Sequence, residues 1–348
     1  MKNKISIRWT PVFYCILIPV FLVVIFIVGC AHKRTAYKIG NPYTNVDWQK
    51  NGQYKANFHT HTSVGEAEAD PPEVIDRYKK LGYSILAITD HDDNITAEPT
   101  WPWLTFQRDP ASLDMVAVQG NEISGLHHIG SYFNSYGNPD VTSENEAIEE
   151  IGRRGGLAVF NHPGRYDKAV EWYVDMFSLY DHLIGLEVYN RRDRYPDDRA
   201  TWDAVLTKLI PERSIWGFAN DDMHEPEEEL GFSWNILVLP KLNHNHVRKA
   251  MEQGCFFYAH ASLGHNGSPV PVVEAITVDE RLGIIQIRAS NYEFIEWISQ
   301  GNIIHKGDRL ILDESAGVEQ YIRAEIHGSD GTIVGTQPFS LSRLVNNK

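Results

Sequence analysis

The feature that most constrains this chain is an alternation running from residue 53 to about residue 240. Short apolar runs ("YKANFH", "YSILAIT", "LDMVAVQGNE", "LAVFN", "LIGLEVYN", "SIWGFAN", "WNILVLP") take turns with segments of helical period. The intervening segments carry their own start and stop signals. "PPEVIDRYKKLG" opens on proline and closes on Gly82, and "SENEAIEEIGRRGG" offers Ser143 and Glu146 as a capping box. Continuous apolar strands separated by helices belong to parallel sheets covered on both faces. At this length the pattern predicts an α/β barrel over residues 53–261.

After residue 262 the pattern changes. "SPVPVVEAITV", "GIIQIRAS", "EFIEWISQG" and "QYIRAEIHGSDGTIVGTQPFSL" are strand-like segments broken by Gly and Asp turns, with "GSDGT" as a hairpin signal. Residues 262–348 therefore predict a small all-β, sandwich-like C-terminal domain.

The first 29 residues read as an export signal. Lys2, Lys4 and Arg8 precede the apolar run "WTPVFYCILIPVFLVVIFIVGC". The closing "IVGC" resembles a lipoprotein cleavage box, which would make Cys30 the lipidated first residue. An uncleaved anchor is the alternative, since about 20 apolar residues span a bilayer. Residues 30–52 are polar and aperiodic and read as a tether, placing the remaining chain in the cell envelope, lipid-anchored outside the cytoplasm. Beyond the signal only Cys255 remains, so an internal disulfide and a thiolate metal site are both excluded. The formal charge of −14 argues against a protein that coats extended nucleic acid, while leaving room for a small phosphorylated substrate.

The chemistry sits at the ends of the strands. The first runs into His59 and His61, with Glu66 close behind; the second ends on Asp90 and His91; the third on Glu122, followed by His127 and His128. The fourth ends on His162 with Arg165 nearby, and "SIWGFAN" runs into Asp221, Asp222 and His224. Residues i and i+2 of a strand share a face, so both imidazoles of His59-x-His61 can reach one ion. Imidazole with carboxylate suits Zn, Mn or Fe, and carboxylates can bridge two ions. In a β/α barrel the C-terminal strand ends form the active-site face, so these residues converge. The H-x-H of His244 and His246 opens a helix, where i and i+2 diverge, and is set aside.

Taken in order, "HTHT", "AITDH", "GNEIS", "NHPGR" and "NDDMH" resemble the motifs of the PHP (polymerase and histidinol phosphatase) superfamily, over residues 55–225. The resemblance implies a distorted (β/α)7 barrel, two or three divalent ions, and hydrolysis of phosphate esters by a metal-bound hydroxide. It implies His59, His61 and Asp222 at a first ion, Glu122 bridging to a second held by His128 and His162, and His91, His224 and Glu66 at a third. Relatives carry "SDG" where this chain reads "GEA", which puts Glu66 in the place of an aspartate. Arg165 is then a phosphate-binding cation, and Asp221 or His224 a proton donor to the leaving alcohol. Two further readings are an amidohydrolase-type hydrolase of C–N or lactone bonds, and a non-catalytic binding lipoprotein.

Overall fold

A computed structural model describes residues 36–95 and 98–344. The signal segment and Cys30 lie outside the described residues, and no described helix is long and apolar enough to cross a membrane. The described residues form one compact unit.

The elements appear where the alternation placed them. Helix Pro71–Lys80 starts with Asp70 accepting the Glu73 N–H at 2.9 Å, and it buries Val74, Ile75 and Tyr78. Helix Glu144–Arg153 starts with Ser143 accepting the Glu146 N–H at 3.2 Å. Its capping box is altered: the Glu146 carboxylate reaches Thr142 instead of the Ser143 N–H.

The sheets are mixed, not parallel throughout. Strands Gly52–Asn57, Tyr83–Ala87 and Val116–Val118 pair in parallel, as do Leu157–Phe160, Leu183–Asn190 and Trp216–Asn220. Strand Ile129–Tyr132 is antiparallel to both its neighbours, and Ser233–Leu239 runs antiparallel to Gly52–Asn57. The expected single strand "LDMVAVQGNE" breaks in two. Val116–Val118 belongs to one sheet and Gly120–Ile123 to another. The handover uses Gly120, where a Cβ would lie 2.3 Å from the Ser131 carbonyl oxygen, so only glycine admits the close strand approach.

Backbone pairing among the described residues forms three sheets and no closed ring. Two isolated parallel bridges, Thr60 with Met223 and His91 with Glu122, stitch the sheet ends together around the functional residues. A side chain fills one seam: Asn235 accepts the Ala219 N–H and donates to the Ala219 carbonyl at 2.7 Å.

The boundary expected at residue 262 falls inside continuous structure. Strand Ile333–Gly335 pairs with Phe256–His260, and the same eleven-stranded sheet extends to Gly52–Asn57. A buried ion network joins the halves: Arg323 donates to both Asp203 oxygens at 2.9 and 2.7 Å and to Glu325 at 2.6 Å. The tether reading of residues 30–52 also needs correction from residue 36 onward. Ala36–Gly40 is a strand paired with Phe339–Leu344. Tyr43 is buried, donating its hydroxyl to the Phe256 carbonyl and accepting the Gln337 N–H. Edge pairing and one anchoring aromatic order a segment whose sequence shows no periodicity.

Candidate metal centre

The strand ends converge on a cleft of about 610 Å³, lined by Glu66, His91, Glu122, His128, His162, Asp222 and His224 and rimmed by three arginines. Among the described residues, four overlapping groups of His and carboxylate bring ligand atoms within 4.8 Å of one another. They are His61–His91–His224, His59–His61–Glu122, His59–His162–Asp222 and His91–Glu122–His128. Glu122 is central, with Oε1 3.2 Å from His59 Nε2 and 3.0 Å from His128 Nδ1, and Oε2 3.0 Å from His91 Nδ1. Asp222 Oδ1 lies 3.0 Å from His61 Nε2 and 3.2 Å from His59 Nε2. Glu66 Oε1 lies 3.1 Å from both His91 Nε2 and His224 Nε2, so the acid of "GEA" reaches the two histidines.

The surroundings fix these side chains. Glu187 accepts from His59 Nδ1 at 2.9 Å, from the His162 N–H at 2.9 Å and from the Asn190 and Asn220 amides. Asn161 donates to Glu122 at 2.7 Å. His162, Asp222 and Arg191 all hold left-handed backbone, with φ of 31°, 44° and 51°. Such conformations cost energy for non-glycine residues and cluster at functional sites.

The donor set fits divalent ions. Buried His59 Nε2, His61 Nδ1, His91 Nδ1, His128 Nδ1, His162 Nδ1 and Glu122 Oε2 have no hydrogen-bond partner. Several lie near an oppositely charged group, but without the alignment a hydrogen bond requires. The electrostatics agree. Burial opposes charge on His59, yet Glu122, Asp222 and Glu187 lift its pKa well above the ordinary value. Burial equally opposes charge on Glu122 and Asp222, yet the surrounding cations hold both carboxylates well below the usual range. His91 rises to about 9 against its own burial because of Glu122 and Glu66. The carboxylates demand positive charge at the centre of the cluster.

Asp221 departs from expectation, and His127 is kept out of the cluster. Asp221 is turned away from the cleft: fully buried, it accepts the N–H groups of Gly231, Phe232 and Ser233 and the Tyr83 hydroxyl. Its neighbour Asp222 takes the opposite direction at the strand end, so Asp221 cannot donate a proton to a leaving group in the cleft. His127 is likewise occupied elsewhere, between the His128 carbonyl and the Tyr173 hydroxyl, while His128 joins the cluster. Arg165 is exposed on the rim of the cleft.

Sequence reasoning missed Arg191. Its Nε donates to Asp222 at 3.2 Å, Nη1 to Glu229 at 2.6 Å, and Nη2 lies 2.7 Å from His224 Nδ1. The stretch "NRRDRYPDDR" holds four arginines with no spacing that singles out one.

No protein-family model matches the chain. Curated relatives include a 5′-3′ exoribonuclease, Rnm, of Salmonella typhimurium, 28% identical over 89 residues, which are 25% of this chain and 29% of that protein. The chain thus spans under a third of that relative's length. An uncharacterised protein of Methanocaldococcus jannaschii is 27% identical over 172 residues, 45% of this chain and 92% of that one. Among solved structures, a two-domain protein from Bacteroides vulgatus containing a predicted PHP-like metal-dependent phosphoesterase superposes with a TM-score of 0.53 at 13% identity. That match covers 90% of this chain and 92% of the other, a likeness of fold across almost the whole molecule.

Proposed function

We propose that this chain is a divalent-metal-dependent phosphoesterase on a distorted PHP-type barrel, exported and lipid-anchored through Cys30 in the cell envelope. The signal and the anchor rest on the sequence of the first 30 residues. One observation carries the catalytic reading. His59 spends Nδ1 on Glu187, leaving Nε2 buried, without a hydrogen-bond partner, and 3.2 Å from oxygens of both Glu122 and Asp222. Two carboxylates converging on that nitrogen call for positive charge there, and a metal ion shared by all three would supply it.

Ions bound there would supply Lewis-acid chemistry, acidifying water and neutralising phosphate oxygens. His59, His61, Glu122, His128, His162 and Asp222 would hold them, with His91, His224 and Glu66 available for a third. The remaining work falls to side chains around the cleft. Arg165, Arg191 and Arg194 line the cleft beside the carboxylates, and together with bound ions they would favour an anionic substrate. Arg165 on the rim is suited to grip phosphate oxygens in a bidentate manner. His224 lies beside the cleft, within reach of a leaving oxygen, and Glu187, Asn161 and Asn190 orient the groups that surround the reacting atoms. The fold neighbour from Bacteroides and the Salmonella ribonuclease are consistent with cleavage of phosphoesters.

The test is a phosphate-release screen over nucleotides, sugar phosphates and oligonucleotide ends, on wild type and on the double variant His59→Ala/His61→Ala. Release by the wild type, lost in the variant, is expected. Hydrolysis of amides or lactones alone would replace this reading with an amidohydrolase.

A further inference from the structure

The position of Arg191 has a consequence for the third ion. A guanidinium always carries its protons and only donates, so the 2.7 Å contact between Arg191 Nη2 and His224 Nδ1 requires Nδ1 to be the bare, accepting nitrogen. The proton of the neutral imidazole then sits on Nε2. There it meets Glu66 Oε1 at 3.1 Å, a donor facing a carboxylate. These two contacts agree, whereas the Asp222 carbonyl oxygen, 3.0 Å from Nδ1, would call for a proton on Nδ1 instead. A doubly protonated imidazole does not fit, because it would turn an N–H toward the guanidinium.

That arrangement is incompatible with metal ligation by His224 Nε2, whose lone pair is covered by its proton. The alternative partner is already in place: Nδ1 also lies 3.0 Å from the Asp222 carbonyl oxygen, which accepts and does not donate. If the guanidinium withdraws, Nδ1–H can donate to that carbonyl, the usual support for a ligating histidine. Nε2 is then bare beside His61 and His91, with which it forms one of the candidate ligand groups. The imidazole proton is then on Nδ1 instead of Nε2.

Arg191 is held in the first arrangement from outside the cluster. Glu229 accepts from its Nη1 at 2.6 Å and, through its other oxygen, from the His224 backbone N–H at 2.7 Å. The guanidinium also places a permanent positive charge next to the third position, which repels a further cation. We propose that Arg191 is a positioning residue that competes with a third divalent ion for His224. Two ions are then held tightly, and the third binds weakly and only on displacement of the guanidinium. This deepens the metal-centre reading and rests on it.

The experiment titrates the metal-free full chain, purified in detergent, with Zn2+ alone, comparing wild type with Arg191→Met. Wild type is expected to bind two ions tightly and a third at least about 10-fold more weakly, and the variant to tighten the third by about 10-fold or more, the scale on which groups supporting a ligand act. An unchanged or weakened third site in a folded variant overturns the inference, as does a wild type binding three ions equally well. Should the variant not fold, 15N-histidine NMR of the metal-free wild type decides. A protonated Nε2 on His224 supports the competition, and a protonated Nδ1 overturns it. Failure of the underlying metal reading looks different, because the wild type then takes up no Zn2+ at all.

Discussion

His59 Nδ1 and Glu187 Oε1 lie 2.9 Å apart at the base of the cleft, and this contact determines which nitrogen of His59 faces Glu122 and Asp222. A carboxylate behind a ligating histidine fixes the tautomer and raises ligand basicity. Replacing Glu187 with Gln offers an amide that can donate where only an acceptor is wanted. The Glu187→Gln variant is expected to stay folded and to bind divalent metal about 10- to 100-fold more weakly, read by competition with a chelator. Unchanged affinity would remove Glu187 from the account.

Asp221 and Asp222 are adjacent residues with separate roles. Asp221 satisfies three backbone N–H groups in the 231–233 turn, and an Asn there has too few accepting oxygens. Asp221→Asn is expected to lose about 1–3 kcal/mol of stability in thermal or urea unfolding. The folded fraction should keep its turnover. A folded variant without activity would return Asp221 to the chemistry.

Asp198 lies under the loop that carries His162 and Arg165, accepting the Gly164 N–H at 2.6 Å. Burial, with Glu187 adding to it, pushes its pKa up to about 8 against that hydrogen bond. An unfolded aspartate titrates near about 3.9, so the folded chain holds an extra proton between the two values. The stability this brings is complete below the lower value and is lost as pH rises through the upper one. Asp198→Asn keeps an oxygen for Gly164 and has no proton to lose. Its melting temperature is expected to fall less steeply than the wild type's from mildly acidic pH to above pH 8. Parallel curves would contradict the assignment.

The buried pair Arg323–Asp203 ties helix Asp197–Leu209 to strand Tyr321–His327. Arg323→Met leaves Asp203 buried without its partner, a change expected to cost about 3–5 kcal/mol in denaturant unfolding. A loss below about 1 kcal/mol would show that water enters to solvate the carboxylate.

The ligand cluster was largely legible in the sequence because its geometry is local. His59 and His61 share a face by strand period, and strand ends in an α/β alternation point one way. What could not be read depends on parity and on distant partners. Strand period alone does not decide whether Asp221 or Asp222, or His127 or His128, turns inward; the choice of Asp222 and His128 rests on the motif resemblance. Glu187 and Asn190 lie in the run "LIGLEVYN", whose sequence does not separate core, hydrogen-bonding and pocket roles, and the structure gives them hydrogen bonds behind the candidate ligands. Arg191 acts through Glu229, 38 residues on, which no spacing announces. In the fold, strand Ile129–Tyr132 was hidden by its brevity, and the short polar stretch at residues 36–43 gave no sign of its edge pairing.

The most direct measurement is phosphate release by one preparation of the full chain as isolated, after chelator stripping, and after readdition of Zn2+ or Mn2+. The account requires release that disappears on stripping and returns with the ion. Release that survives complete removal of metal would contradict it.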